Sequence, residues 1–81
     1  MKLTKLQNRI YKYVKRKKYS RISDIAKNIY KDINQKPKSP NNSVLSVMLQ
    51  VNKKYPNTFE WSGAGRLGAT VFLNTNVKDA N

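Results

Sequence analysis

The sequence predicts a small α+β domain, three helices followed by a two-stranded β-hairpin. Three observations lead there. A chain of 81 residues is one domain at most, near the size at which a lone core still suffices. Apolar residues recur at helical spacing in three successive segments. All three glycines lie between two short runs of β-branched and aromatic residues. Hydrophobic residues make up 38% of the chain, with five Tyr, two Phe and one Trp, enough to fill a small core and to exclude full disorder.

In the first segment, Leu3, Leu6, Ile10, Tyr13 and Val14 gather on one side and predict a helix over 3–18. Lys5, Arg9, Lys12 and Arg16 form a second stripe, roughly a third of a turn away. The run Lys15 to Arg21 is a basic connection, after which Ile22 stands as an isolated apolar residue. Ser23 is a candidate N-cap, with Asp24 where the helix dipole favours an anion, and predicts a second helix over 24–33. Its apolar face is Ile25, Ala26, Ile29, Tyr30 and Ile33.

Residues 34–39 are a polar, basic loop containing Pro37. Ser39-Pro40 reads as a helix start and predicts a third helix over 40–54. Val44, Leu45, Met48 and Val51 form its apolar face, with Val47 and Leu49 at the margins. Tyr55-Pro56-Asn57 ends it. Thr58 to Trp61 reads as one short strand and Ala69 to Leu73 as another, around a tip holding Gly63, Gly65, Arg66 and Gly68. Phe59 and Trp61 are expected in the core. Residues 1–73 thus form the domain and 74–81 a frayed tail.

The inventory excludes much chemistry. With no Cys and no His there is no thiolate catalysis, disulfide, Cys/His zinc site or histidine acid–base work. Four acidic residues leave little for a carboxylate metal site or a two-carboxylate hydrolase. The chain is expected not to be an enzyme and to need no cofactor or metal. No apolar run approaches the ~20 residues of a membrane span, and the N-terminus lacks a signal-peptide apolar region. The expected location is intracellular, cytoplasmic or nucleoid-associated. The string Gly63-Ala64-Gly65-Arg66-Leu67-Gly68 matches a dinucleotide or kinase glycine loop by letters only. It leads into a strand where the dinucleotide pattern needs a helix, and the chain has no room for a kinase.

The charge is large and uneven. Residues 1–38 carry 13 basic and two acidic side chains, whereas residues 39–81 carry four and two. The formal total of +13 makes a polyanion the expected partner, nucleic acid first, since each neutralised phosphate releases counterions. Lys, Asn, Ile and Tyr supply 33 of 81 residues, which an AT-rich genome would also favour. That bias explains Lys over Arg but not the scarcity of acids. The all-basic stripe on the first helix is open to two readings, a solvated face or a contact to phosphate. The polar face of the third helix, Asn42, Ser43, Ser46, Gln50, Lys53 and Lys54, is either an ordinary polar surface or a set of base-edge readers. Asn and Gln pair bidentately with adenine, and Ser meets several base edges.

The element order, helix, short strand or extended residue, helix, helix, strand, Gly-rich loop, strand, is that of a winged helix-turn-helix domain. The stretch from Ser39 to Leu73 resembles the C-terminal half of HARE-type winged-helix domains. Ser39-Pro40, Val44, Leu45, Met48, Phe59, Gly63, Gly65, Phe72 and Leu73 carry that likeness. Forkhead-like domains have a similar Asn-Ser helix start and glycine-rich wing. Two departures stand out: a more basic first helix and a wing with a single Arg. The resemblance implies a double-stranded DNA-binding module with no catalysis of its own, a small transcriptional or accessory regulator. In that docking, Asn42, Ser43, Ser46 and Gln50 meet base edges. Lys53 and Lys54 hold phosphate, and Arg66 enters the minor groove. Lys5, Arg9, Lys12, Arg16, Lys17, Lys18 and Arg21 supply sequence-independent charge.

The concentration of charge in the first half leaves another reading open. The chain would then be a protein-interaction module, a phage- or plasmid-type modulator that sets its basic surface against an acidic polymerase or nuclease. Tyr11, Tyr19 and Tyr55 would anchor that interface. RNA binding is a third reading, with no aromatic strand pair to support it. No heptad or long apolar stripe argues for a dimer, so a monomer is expected.

Overall fold

The computed structural model describes residues 2–32, 34, 36–63 and 68–74. Within these, three helices and three strands form a small α+β domain: α1 (Lys5–Lys17), β1 (Ser20–Arg21), α2 (Ile22–Tyr30), α3 (Pro40–Lys54), β2 (Phe59–Ser62) and β3 (Thr70–Leu73). The sheet is antiparallel in the order β1-β3-β2.

α1 begins two residues later than the apolar spacing suggests because Thr4 and Gln7 close a reciprocal cap. The Gln7 amide donates to Thr4 Oγ1 at 3.2 Å, and the Thr4 amide donates to Gln7 Oε1 at 2.9 Å. The helix stops at Lys18, whose φ of 67° and ψ of −55° break the helical path. Its amide still reaches the Val14 carbonyl at 2.8 Å, while the Tyr19 amide turns back to the Lys17 carbonyl at 2.8 Å. This is a γ-turn of the strained hand, costing on the order of 1–3 kcal/mol for a residue with a Cβ.

The turn delivers Ser20 and Arg21 in extended conformation, where they pair with Val71 and Thr70 of β3. The hairpin of two strands expected from the sequence is therefore a sheet of three. The backbone groups of β1 find their partners on the free edge of β3, a pairing between residues about fifty positions apart that local patterning does not reveal.

α2 also departs from expectation. It starts at Ile22, with extended Arg21 at the N-cap position and no side-chain cap. Ile22 is fully buried and draws the first turn into the core, so Ser23 lies inside the helix. α2 ends at Tyr30; Ile33 falls outside the described residues. α3 has the expected bounds. Pro40 sits at its start, and the Ser39 carbonyl accepts the Ser43 amide at 3.0 Å, although the Ser39 side chain makes no cap.

The core lies between the helices and one face of the sheet. Ile10, Tyr11 and Val14 meet Ile22, Ile25, Ile29, Val44, Met48, Val51, Phe59 and Val71, each at most 3% exposed. Tyr11 packs edge-on against Phe59 with ring centroids 6.4 Å apart. It is thus a core residue and not an interface anchor. Trp61 and Leu73 pack against the cluster while half-buried.

A side-chain amide joins α3 to the hairpin. Asn52 Nδ2 donates to the Phe59 carbonyl at 2.9 Å, and the Phe59 amide donates to Asn52 Oδ1 at 2.8 Å. Thr58 Oγ1 donates to the Tyr55 carbonyl at 2.6 Å, which spends Thr58 on the turn and starts β2 one residue later than expected. Asn74, assigned from the sequence to the tail, is tied to β2. Its amide donates to the Thr58 carbonyl at 3.1 Å and its Nδ2 to Glu60 Oε1 at 3.2 Å.

Candidate nucleic-acid interface

The outward face of α3 is set by what its inward face must bury. Val44, Met48 and Val51 point into the core, so the stripe Asn42, Ser46, Leu49, Lys53, at steps of four, three and four, points out. Asn42, Ser46 and Gln50 are exposed, as expected of groups available for base edges. Ser43 is half-buried at the margin. Leu49 stands on the outward stripe with 36% of its surface exposed, in the middle of the polar residues. The sequence places it at the edge of the apolar face. Its spacing from Asn42, seven residues, is the signal that puts it outside.

The centre of this face carries no charge, but both ends are basic. Lys53 and Lys54 are exposed in the last turn, with Lys54 Nζ 5.7 Å from the Tyr55 ring centroid. Beside the first turn, a depression of about 280 Å³ between α2 and the start of α3 is lined by Lys27 and Lys36, with Ser23, Tyr30, Pro40 and Asn41. Sequence reasoning passes over both: Lys27 belongs to another helix and Lys36 to the loop before α3, and only the packing of α2 beside the start of α3 brings them together. Tyr55 is half-buried, and its hydroxyl accepts the Lys2 amide at 2.7 Å.

The first-helix stripe is on the surface as expected: Lys5, Arg9, Lys12 and Arg16 are all exposed. The Arg16 guanidinium lies 5.6 Å from the Tyr13 ring centroid. Lys17, Lys18 and Arg21 are exposed around the turn into β1. These cations occupy α1 and its exit. Arg66 lies outside the described residues, between Gly63 and Gly68. Gly63 opens that segment with φ +118°, a conformation that side chains with a Cβ rarely adopt.

Among the described residues, no group of three or more His, Cys, Asp or Glu could hold a metal, and no helix is long and apolar enough to cross a membrane. No protein-family model matches this chain, and no curated protein and no solved structure matches it significantly.

Proposed function

We propose that the chain is a winged helix-turn-helix domain that binds double-stranded DNA without catalysis, acting as a small transcriptional or accessory regulator. The observation that carries this reading is the outward face of α3, neutral and hydrogen-bonding at its centre and bracketed by lysines at both ends. A 15-residue helix is about 22 Å long. The major groove is about 12 Å wide, so the ends of such a helix meet the phosphates that flank the groove while its middle faces bases. The order of elements supports the reading: β1 joins α1 to α2, α2 packs on α3, and β2 and β3 flank the glycine segment.

In this docking Asn42, Ser46 and Gln50 meet base edges, with Ser43 at the margin. Leu49 meets a thymine methyl, the apolar feature of the major groove. Lys53, Lys54, Lys27 and Lys36 hold phosphates. Arg66 enters the minor groove, and Lys5, Arg9, Lys12, Arg16, Lys17, Lys18 and Arg21 supply the sequence-independent field.

Binding to a short duplex, titrated over salt from about 50 to 200 mM, tests this reading. Duplex binding with a steep salt slope and a preference that survives at high salt is the expected result. Weak binding that vanishes with modest salt would sink it. That outcome favours the second reading, an acidic protein partner, which the concentration of exposed cations on α1 and its exit supports. A pull-down that returns an acidic protein through α1 would then decide.

A further inference from the structure

A second surface lies away from α3, where α1 ends against the sheet. The strained turn at Lys18 throws Tyr19 out of the helical path. Tyr19 is 70% exposed, the most exposed large hydrophobic side chain among the described residues. Its ring meets Phe72 with centroids 5.8 Å apart and planes at 53°. Neither ring belongs to the core cluster. Phe72 follows inward-facing Val71 on β3, so it lies on the outer face of the sheet. The molecule thus holds an aromatic pair on its outside, on a strained backbone, with no packing role that requires it there.

The charge around the pair is sorted. Lys15 and Lys18 line the same depression as the two rings, a space of about 380 Å³. That is within the range of small-ligand clefts. Arg21 pairs in register with Thr70, two residues before Phe72, so it shares the outer face. Glu60 pairs with Phe72 from β2, and its carboxylate accepts Asn74 Nδ2 at 3.2 Å. Because β3 is the central strand, Glu60 lies on one flank of Phe72 while Tyr19 and Arg21 lie on the other. An anionic chain therefore has one favoured side to run along.

We propose that the Tyr19–Phe72 shelf binds an unpaired base of a single-stranded nucleic acid. Tyr19 stacks on the base, and Lys15, Lys18 and Arg21 take the neighbouring phosphates. A base presents a π-face and a phosphate within one nucleotide, which matches an aromatic platform edged by cations. An acidic peptide would use the cations and leave the tyrosine face without a function; an apolar peptide would do the reverse. The site uses neither α3 nor the hairpin tip; it shares Lys18 and Arg21 with the duplex reading, and Tyr19 is the residue that tells the two apart.

The test is fluorescence anisotropy with a labelled oligo-dT strand, a blunt duplex of equal length and a labelled poly-glutamate, for wild type, Tyr19→Ala and Tyr19→Phe. Tyr19→Ala is expected to weaken oligo-dT binding about tenfold, the size of one base stack, while Tyr19→Phe binds as wild type. Blunt-duplex binding should be the same for all three proteins. Thermal unfolding should be unchanged by Tyr19→Ala, since the side chain is exposed. As a second variant, Lys15→Gln with Lys18→Gln should lower the salt slope for oligo-dT. Wild type that does not bind oligo-dT, or that binds it no better than Tyr19→Ala, would overturn the proposal. Equal losses for strand and duplex would do so too, as would poly-glutamate binding with the same Tyr19 dependence. Tyr19-dependent strand binding without duplex binding would sink the duplex reading and leave this one standing.

Discussion

α1 turns Lys5, Arg9, Lys12 and Arg16 to solvent, while α3 turns out Asn42, Ser46, Leu49 and Gln50. Both helices bury their other side in the same core. The first face is pure charge and acts at a distance through the field it creates. The second is short-range: hydrogen bonds and one apolar contact, each needing a partner of the right shape. On the proposed duplex reading, one helix finds the polyanion and the other discriminates among its sequences.

The largest effect that sharpens this comparison comes from inside α3. Asn42 and Asn52 are the same residue type on one helix, but only Asn52 turns in, to hold both backbone groups of Phe59. Asn52→Ala should cost about 2 kcal/mol of folding stability, since it leaves two partly buried groups without their partner. Urea unfolding of the variant with an unchanged midpoint would show the clamp to be idle. Asn42→Ala and Gln50→Ala should leave that midpoint alone. Each should instead lose about 1–3 kcal/mol of discrimination between a preferred duplex and one altered at a single base pair. If both variants keep the full preference in competition binding, α3 is not the reading helix.

On α1 the expected result has a different form. Lys12→Ala or Arg16→Ala should weaken binding to every duplex alike and reduce the salt slope by about one for each phosphate no longer neutralised. A loss confined to one sequence would break the division between the two helices. The smallest effect belongs to Leu49. Replacing thymine by uracil at the position facing it should weaken binding about fourfold, the worth of one buried methyl. Leu49→Ala should abolish the difference between the two duplexes. A thymine–uracil difference that persists in the variant would place the methyl elsewhere.

The parts of this molecule fixed by local chemistry are legible in the sequence. Ser39-Pro40 and Tyr55-Pro56 bracket α3 at its observed bounds, and both hairpin strands lie within one residue of their expected positions. The Thr4–Gln7 cap is also local, and its Thr-x-x-Gln spacing shows in the sequence; counting Leu3 in the apolar face obscures it. What the sequence hides depends on partners far along the chain. Ile22 looks isolated until the core closes around it, and Ser20 and Arg21 become a strand only because β3 passes beside them. On the candidate site, the exposure of the α1 stripe and of Asn42, Ser46 and Gln50 follows from periodicity alone. The pairing of Tyr19 with Phe72 does not, since it requires both the turn at Lys18 and the register of β1 on β3.

That sheet order has a consequence for how the chain matures. β3 is the last of the described strands in chain order and also the central one. β1 and β2 each pair with β3 and not with each other, so before β3 is in place neither has a strand partner. The arrival of four residues, Thr70 to Leu73, seals both at once. A nascent chain halted before Thr70 would therefore lack the whole sheet and not one third of it. Protease resistance of β1 would appear only once β3 is available to pair with it.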